Sequence, residues 1–237
     1  MSQPDQAAVS NRLLRAMSAE DYAGLAPHLV PIELPLGEKL IDINAPVSHL
    51  HFMEAGISSI TTDGANGKVE VGMVGREGLV GASPVLLGTD RVPHDHFVQM
   101  AGEGLRIEAG ALVAAMDAST TLRRLLLRYV QTEIVQVRQT AYINAIYSIE
   151  ARLARWLLMC LDRVDGNELA LKHEFLSMML GVQRSGVTLA LQALEGSGRI
   201  RGRRMRIVVL DREGLEEVSN GGYGAPEAEY ARLIEGT

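Results

Sequence analysis

Between Arg184 and Leu194 two kinds of residue alternate at helical spacing. Val187, Leu191 and Leu194 fall on one stripe and can pack, whereas Ser185, Leu189 and Gln192 lie roughly opposite, flanked by Arg184 and Thr188. The free face therefore carries a guanidinium, hydroxyls and a carboxamide, groups able to hydrogen-bond base edges if the helix enters a groove. Upstream, Glu174 to Leu180 is a second short amphipathic segment. Only Gly181, Val182 and Gln183 separate the two, a turn opened by glycine. This order predicts a helix-turn-helix.

The stretch that follows, Gly198 to Leu210, contains two β-prone runs around a glycine–arginine turn. It predicts a hairpin with Arg203 and Arg204 near its tip, the wing of a winged helix. Charge singles out the same region. From Lys172 to Arg212 there are eight Lys and Arg against three Asp and Glu, in a chain whose net charge is −6. A basic patch on an acidic protein implies one anionic docking surface, here double-stranded DNA, and argues against general nucleic-acid adhesion.

With 237 residues, 47% of them hydrophobic, the chain can build one or two globular cores. No run approaches the ~18 to 20 apolar residues that span a bilayer, and the first residues have neither a basic start nor an apolar export core. These features predict a cytoplasmic protein with no membrane partner. The single cysteine, Cys160, rules out an intrachain disulfide framework and a four-cysteine metal site within one chain. Its neighbours Trp156, Leu157, Leu158 and Leu161 predict a buried thiol.

Taken in order, Asn11 to about Ala26 predicts one or two short helices, with Ser18 before Glu20 and Asp21 as a start signal. From Pro31 to about Ile107 the pattern changes to short alternating runs punctuated by Gly, Pro, Asp and Asn, which predicts a β-roll of jelly-roll type. Asp63-Gly64 and Asn66-Gly67 mark a hairpin. After Gly110 the period is helical, and Leu122, Leu126, Tyr129 or Val130, Ile134, Val137, Ala141 and Asn144 form a seam long enough to pair with its twin across a two-fold axis. The same seam could instead lie on the β-domain, and both uses can coexist. Another amphipathic stretch runs from Glu150 to Asp162 before a turn at Asp165-Gly166-Asn167. The tail from Asn220 to Pro226 has linker composition, and Glu227 to Ile234 reads as a marginal helix or as disordered.

The expected fold class is α+β: an N-terminal sensor-type β-roll with its opening helices (1–117), a dimerisation helix (118–147), a winged helix-turn-helix (148–219) and a tail (220–237). This order resembles the Crp/Fnr family of bacterial transcription regulators. Leu180 to Thr188 followed by Ala193-Leu194-Glu195 looks like that family's DNA-binding motif. The resemblance implies a homodimer that binds a palindromic operator and recruits or blocks RNA polymerase. By position, Arg184, Ser185 and Leu189 match the family positions that most often touch bases. Gln183, Thr188, Gln192, Arg203 and Arg204 complete the candidate DNA-binding set. A glutamate and a second arginine are usual where this chain has Ser185 and Leu189, so the resemblance implies a different operator. Gln183 stands where a helix-capping serine is common, and glutamine caps poorly.

Cyclic-nucleotide binders of the family carry a Gly-x-x-Gly-Glu turn and an Arg-Ser pair. Here Gly78-Leu79-Val80-Gly81 is followed by Ala82 and Ser83, and Pro93-His94-Asp95-His96-Phe97 occupies the region of the pair. A buried phosphate needs a cation and donors, which Ala82 and Asp95 do not supply. Gly78, Gly81, Ala82, Ser83 and Arg91 are therefore candidates for an effector pocket that does not take cyclic AMP or cyclic GMP. No cofactor is expected, and the effector is unassigned. The alternative is a cupin-like metal-binding enzyme or metal sensor fused to the DNA-binding part. His94 and His96 share a strand face at period two, with Gly88 six positions upstream. Glu103 follows His96 too late for a cupin ligand, and a second cupin motif is missing. The larger expectation is surface or loop histidines, no metal site and no catalysis.

Overall fold

The computed structural model describes residues 4–64, 67–171 and 173–236. Asn66 of the expected hairpin turn and Lys172 of the basic stretch lie outside the described residues. The chain divides into two compact units, one of residues 1–60, 73–135 and 229–237 and one of residues 61–72 and 136–228.

The first unit opens with α1 (Arg12–Arg15) and α2 (Ala19–Leu25), capped by Asn11 and Ser18, whose side chains accept from Leu14 N and Asp21 N. Asn11 is fully buried, and its Nδ2 also donates to Met53 O at 2.9 Å and Gly78 O at 2.8 Å. One polar side chain thus satisfies the helix start and two strand-end carbonyls. The strands are β1 (Val30–Leu34), β2 (Lys39–Ile41), β3 (His49–Met53), β4 (Ile57–Gly64), β5 (Gly67–Val74), β6 (Leu79–Val80), β7 (Asp95–Met100) and β8 (Gly102–Glu108). They form two four-stranded sheets, ordered β1-β8-β3-β6 and β2-β7-β4-β5. Register places Leu50 beside Ile107 and Phe52 beside both Leu79 and Leu105, so one face of the first sheet is continuously apolar. Ile41, Val74 and Val98 from the second sheet join the same core.

Three helices follow in sequence: α3 (Ala82–Leu86), α4 (Ala109–Ala118) and α5 (Thr120–Ile146), the last of which continues past residue 135 into the second unit. Ser119 separates the last two, and its hydroxyl accepts from Leu122 N. The long seam has two uses. Leu122, Leu126, Tyr129 and Val130 are buried in the β-roll core, so this half of the expected dimer seam packs on its own domain. The exposed large apolar residues of α5 are Leu127, Val137, Tyr142 and Ile146; of the apolar seam positions, Val137 and the smaller Ala141 are exposed. Periodicity located the apolar positions without telling which of two stripes meets which neighbour.

In the second unit α6 (Ile149–Leu161) starts at Ser148, whose Oγ accepts from Ala151 N. Next come β9 (Glu168–Leu169), α7 (His173–Leu180), α8 (Arg184–Gly196), β10 (Ile200–Arg203), β11 (Arg206–Val209) and α9 (Arg212–Val218). The wing gains a third strand, in the order β10-β11-β9, and neither β9 nor α9 was anticipated. Residues 61–72, the tip of the β4–β5 pair, belong to this unit, and there Glu70 and Val69 meet Trp156 and Gly181. Cys160 is buried, and burial pushes its thiol well above the usual range.

In the C-terminal tail the stretch expected to be a marginal helix or disordered is helical and anchored by packing. It forms α10 (Ala225–Tyr230) and a π-helical turn over Ala231–Glu235. Tyr230 and Ile234 are buried in the core of the first unit, the Tyr230 hydroxyl donates to Glu77 O at 2.7 Å, and Arg12 pairs with Glu235. Glycine-rich composition at 220–224 hid two anchoring apolar side chains only four residues apart, one helical turn.

Candidate nucleic-acid interface

The turn between α7 and α8 begins at Gly181, whose φ of +61° suits glycine. Gly181 N donates to Met178 O and Val182 N to Ser177 O, the paired bonds of a Schellman cap. The Arg152 guanidinium donates to Leu180 O, satisfying another terminal carbonyl of α7. At the start of α8 Gln183 is extended and makes no side-chain cap, as its type led one to expect. A Cβ at Gly186 would lie 2.8 Å from Ile149 Cδ1, so glycine there lets α8 approach α6 closely.

Val187, Leu191 and Leu194 are buried, together with Ala190. Gln183, Arg184, Ser185, Thr188, Leu189 and Gln192 are all exposed, and Leu189 reaches 67% exposure. The Thr188 hydroxyl donates to Arg184 O at 3.0 Å, which leaves its lone pairs and methyl for contacts outside the helix. Glu195 Oε1 accepts from Gly202 N at 2.9 Å and pins the wing beside the end of α8.

The basic stretch sorts into two groups. Arg199 pairs with Asp211 and Glu217, Arg206 with Glu168, and Arg212 with Asp162 and Glu216. Hydrogen bonding by the Gly214 backbone and by Arg199 holds the Asp211 carboxyl below its usual range. Among the described residues Arg184, Arg201, Arg203 and Arg204 are exposed and form no ion pair. Among the described residues of the stretch these four are the cations available to an outside anion. Arg201 was not in the expected set, although period two along β10 puts it on the same side as Arg203.

Four of the five effector-pocket candidates come together at the β6–α3 junction. Gly81 has φ +89° and precedes α3, Ala82 is fully buried, and Ser83 Oγ donates to Glu133 Oε2 of α5 at 2.5 Å. A Cβ on Gly78 would sit 2.1 Å from the Tyr129 hydroxyl, which itself accepts from Leu79 N. Arg91 is not among them, because it lies exposed and paired with Asp90. Desolvation pushes the half-buried Glu133 carboxyl up to about 7, Ser83 opposing it and Glu77 reinforcing it. Asp95 accepts from Ile43 N and pairs with Lys39.

Of the two histidines weighed as metal ligands, His94 lies in the bend before β7, as expected of a loop residue, and only His96 departs from expectation. His96 and His51 are buried in β7 and β3, not on the surface or in loops, and burial lowers each imidazole to about 4, so both are neutral at pH 7. Among the described residues no three His, Cys, Asp or Glu side chains converge as a metal site would require.

Residues 151–218 match the Crp-like helix-turn-helix domain model. The helix-turn-helix domain is Crp-like. Over 88% of its length the chain has the fold of a Crp/Fnr-family transcriptional regulator from Eubacterium rectale, with a TM-score of 0.68 at 16% identity. FixK2 from Bradyrhizobium japonicum superposes with a TM-score of 0.69 at 15% identity, over 80% of this chain and 96% of FixK2. A Crp-family transcriptional regulator from Thermus thermophilus gives 0.67 at 17% identity, over 82% and 99% of the two chains. CLP of Xanthomonas campestris, a c-di-GMP responsive global regulator, gives 0.65 at 16% identity, over 81% and 99%. A comparison with curated protein sequences returns no match. The Crp-like domain includes α6 through α9, and no helix in the described residues is long and apolar enough to cross a membrane.

Proposed function

We propose that this protein is a homodimeric, sequence-specific DNA-binding transcription regulator acting in the cytoplasm. In this reading α8 enters the major groove, with Gln183, Arg184, Ser185, Thr188, Leu189 and Gln192 facing the duplex. Arg203 and Arg204 of the wing hold phosphates. The observation that carries it is the unpaired cation and exposed polar face of α8, set on a helix whose opposite side is fully packed. Exposed Leu127, Tyr142 and Ile146, which fall on one side of α5, support pairing with a second copy, since exposed apolar side chains sharing a helix face ask for a cover. Dimeric readers address half-sites ~34–36 Å apart, so the operator is a palindrome. Regulation then proceeds by recruiting or blocking RNA polymerase.

The β-roll is the sensor part, and it does not take a cyclic nucleotide. Ala82 offers no ribose-binding carboxylate, Arg91 is engaged by Asp90, and Glu133 would repel a cyclic phosphate near Ser83. Selection of bound DNA from a random pool by the full-length protein tests the reading. A palindromic consensus with half-sites one turn apart is the expected result. Retention of DNA without any consensus, or of a lone half-site by a monomer at full affinity, would overturn it.

A further inference from the structure

The wing ends in a feature that phosphate contact does not explain. β10 and β11 pair as far as Arg203 with Arg206, leaving Arg204 and Met205 as a two-residue turn. Met205 has φ +60°. The second central position of such a turn, when left-handed, ordinarily belongs to glycine or asparagine. The other positive-φ residues besides glycine in the described chain are Asn44 and Asn220, the side chain that best tolerates this region. Met205 is moreover 54% exposed, so no packing compensates the strained backbone. Strain held at an exposed apolar residue points to use outside the fold.

The surroundings indicate what that use is. Arg201, Arg203 and Arg204 are exposed without ion pairs among the described residues, and Gly202 is bonded to Glu195 of α8. A helix seated in a major groove leaves a phosphate backbone and then a minor groove beside it. Guanidiniums on the flanking phosphates would carry the turn to that groove, where an unbranched, polarizable thioether can enter between base steps.

We infer that Met205 is a minor-groove wedge, which partly unstacks a pyrimidine–purine step and bends the operator toward α8. This rests on the DNA-binding reading above and adds a residue that selects DNA by deformability without touching base edges.

The test uses the full-length wild type, its operator selected from a random pool, and the variants M205G, M205N and M205L. Glycine and asparagine suit the turn, so both proteins stay folded and unfold no earlier than the wild type. They should bind about tenfold more weakly and show a smaller bend in circularly permuted fragments. M205L should stay within about threefold of wild type and keep the bend. Unchanged affinity and bend in M205G would overturn the wedge, as would an effect of M205G seen only when RNA polymerase is added, which would make the tip a protein contact. A wild type that selects no sequence would instead refute the DNA-binding reading.

Discussion

The indole Nε1–H of Trp156 donates to Glu70 Oε1 at 2.7 Å, and each side chain is only 4% exposed. Glu70 comes from β5 and Trp156 from α6, and both belong to the second unit, where α6 supports the reading head. Val69 reinforces the contact, lying 3.0 Å from where a Cβ on Gly181 would be. Trp156 is the only tryptophan. Its fluorescence therefore reports this contact alone.

Replacing Glu70 by leucine leaves the indole N–H buried and unpaired, and deprives the buried Arg155 of a nearby charge. The expected loss is ~1–3 kcal/mol of stability with a changed emission maximum. Glu70→Gln keeps an acceptor and should lose less. Equal stability and identical emission in the leucine variant would show that the hydrogen bond is not formed in solution.

Gly78 is held by packing as much as by any pocket. Its missing Cβ makes room for the Tyr129 hydroxyl, and Tyr129 is buried among α5 and the sheets. Gly78→Ala should cost ~1–3 kcal/mol by overpacking. Adding Tyr129→Leu to that variant should recover part of the loss. Simple addition of the two costs in thermal melts would separate the residues.

Titration gives two opposite signs within the first unit. His51 and His96 have folded values of about 4 against an ordinary 6.5, so the unfolded chain binds more protons, and stability falls as pH drops from about 6.5 to about 4. Each can account for a loss on the order of 3 kcal/mol at most. Glu133 works the other way, with a folded value of about 7 against 4.5, so it destabilises increasingly as pH rises through that window. Glu133→Gln should raise stability at pH 8 and leave it little changed at pH 4, while His96→Gln should flatten the acid limb. An acid limb unaffected by both His51 and His96 replacements would refute the assignment.

How much of this was legible in the sequence depended on whether a pattern had one physical meaning. The α8 face was, because Val187, Leu191 and Leu194 can only pack on one side, and the wing was, because glycine and arginine interrupt β-branched runs. The division of α5 was not, since Leu122 and Leu127 look equally apolar and only tertiary neighbours decide which is covered. His96 was misjudged because alternation does not reveal that both sheet faces are buried. The arginines illustrate a third case. Counting charge found the basic stretch, yet Arg199, Arg206 and Arg212 are paired with acids, several of them outside the stretch, so the usable cations are fewer than the count.

The two kinds of cation in the proposed interface predict different losses. Arg184 at the N-terminal end of α8 can make a bidentate contact with a guanine, so Arg184→Ala should cost ~1–3 kcal/mol and relax preference at one base pair per half-site. Replacing Arg203 and Arg204 together should weaken all sequences alike and flatten the salt dependence by about two. Equal loss on every sequence would demote Arg184 to a phosphate contact. An unchanged salt slope would remove the wing arginines from the interface.

Leu189 presents the opposite chemistry on the same face. It is 67% exposed, the large apolar side chain that α8 leaves open, and it sits one position after Thr188, whose hydroxyl proton is already committed to Arg184 O. The thymine C5 methyl is the apolar feature displayed in the major groove, so Leu189 should pack on it. Thymine-to-uracil replacement removes that methyl without altering pairing. One position per half-site should lose affinity by ~1 kcal/mol at most, the worth of roughly one buried methyl, and Leu189→Ala should abolish the sensitivity at that position alone. Binding indifferent to uracil at every position would mean that Leu189 faces away from the bases.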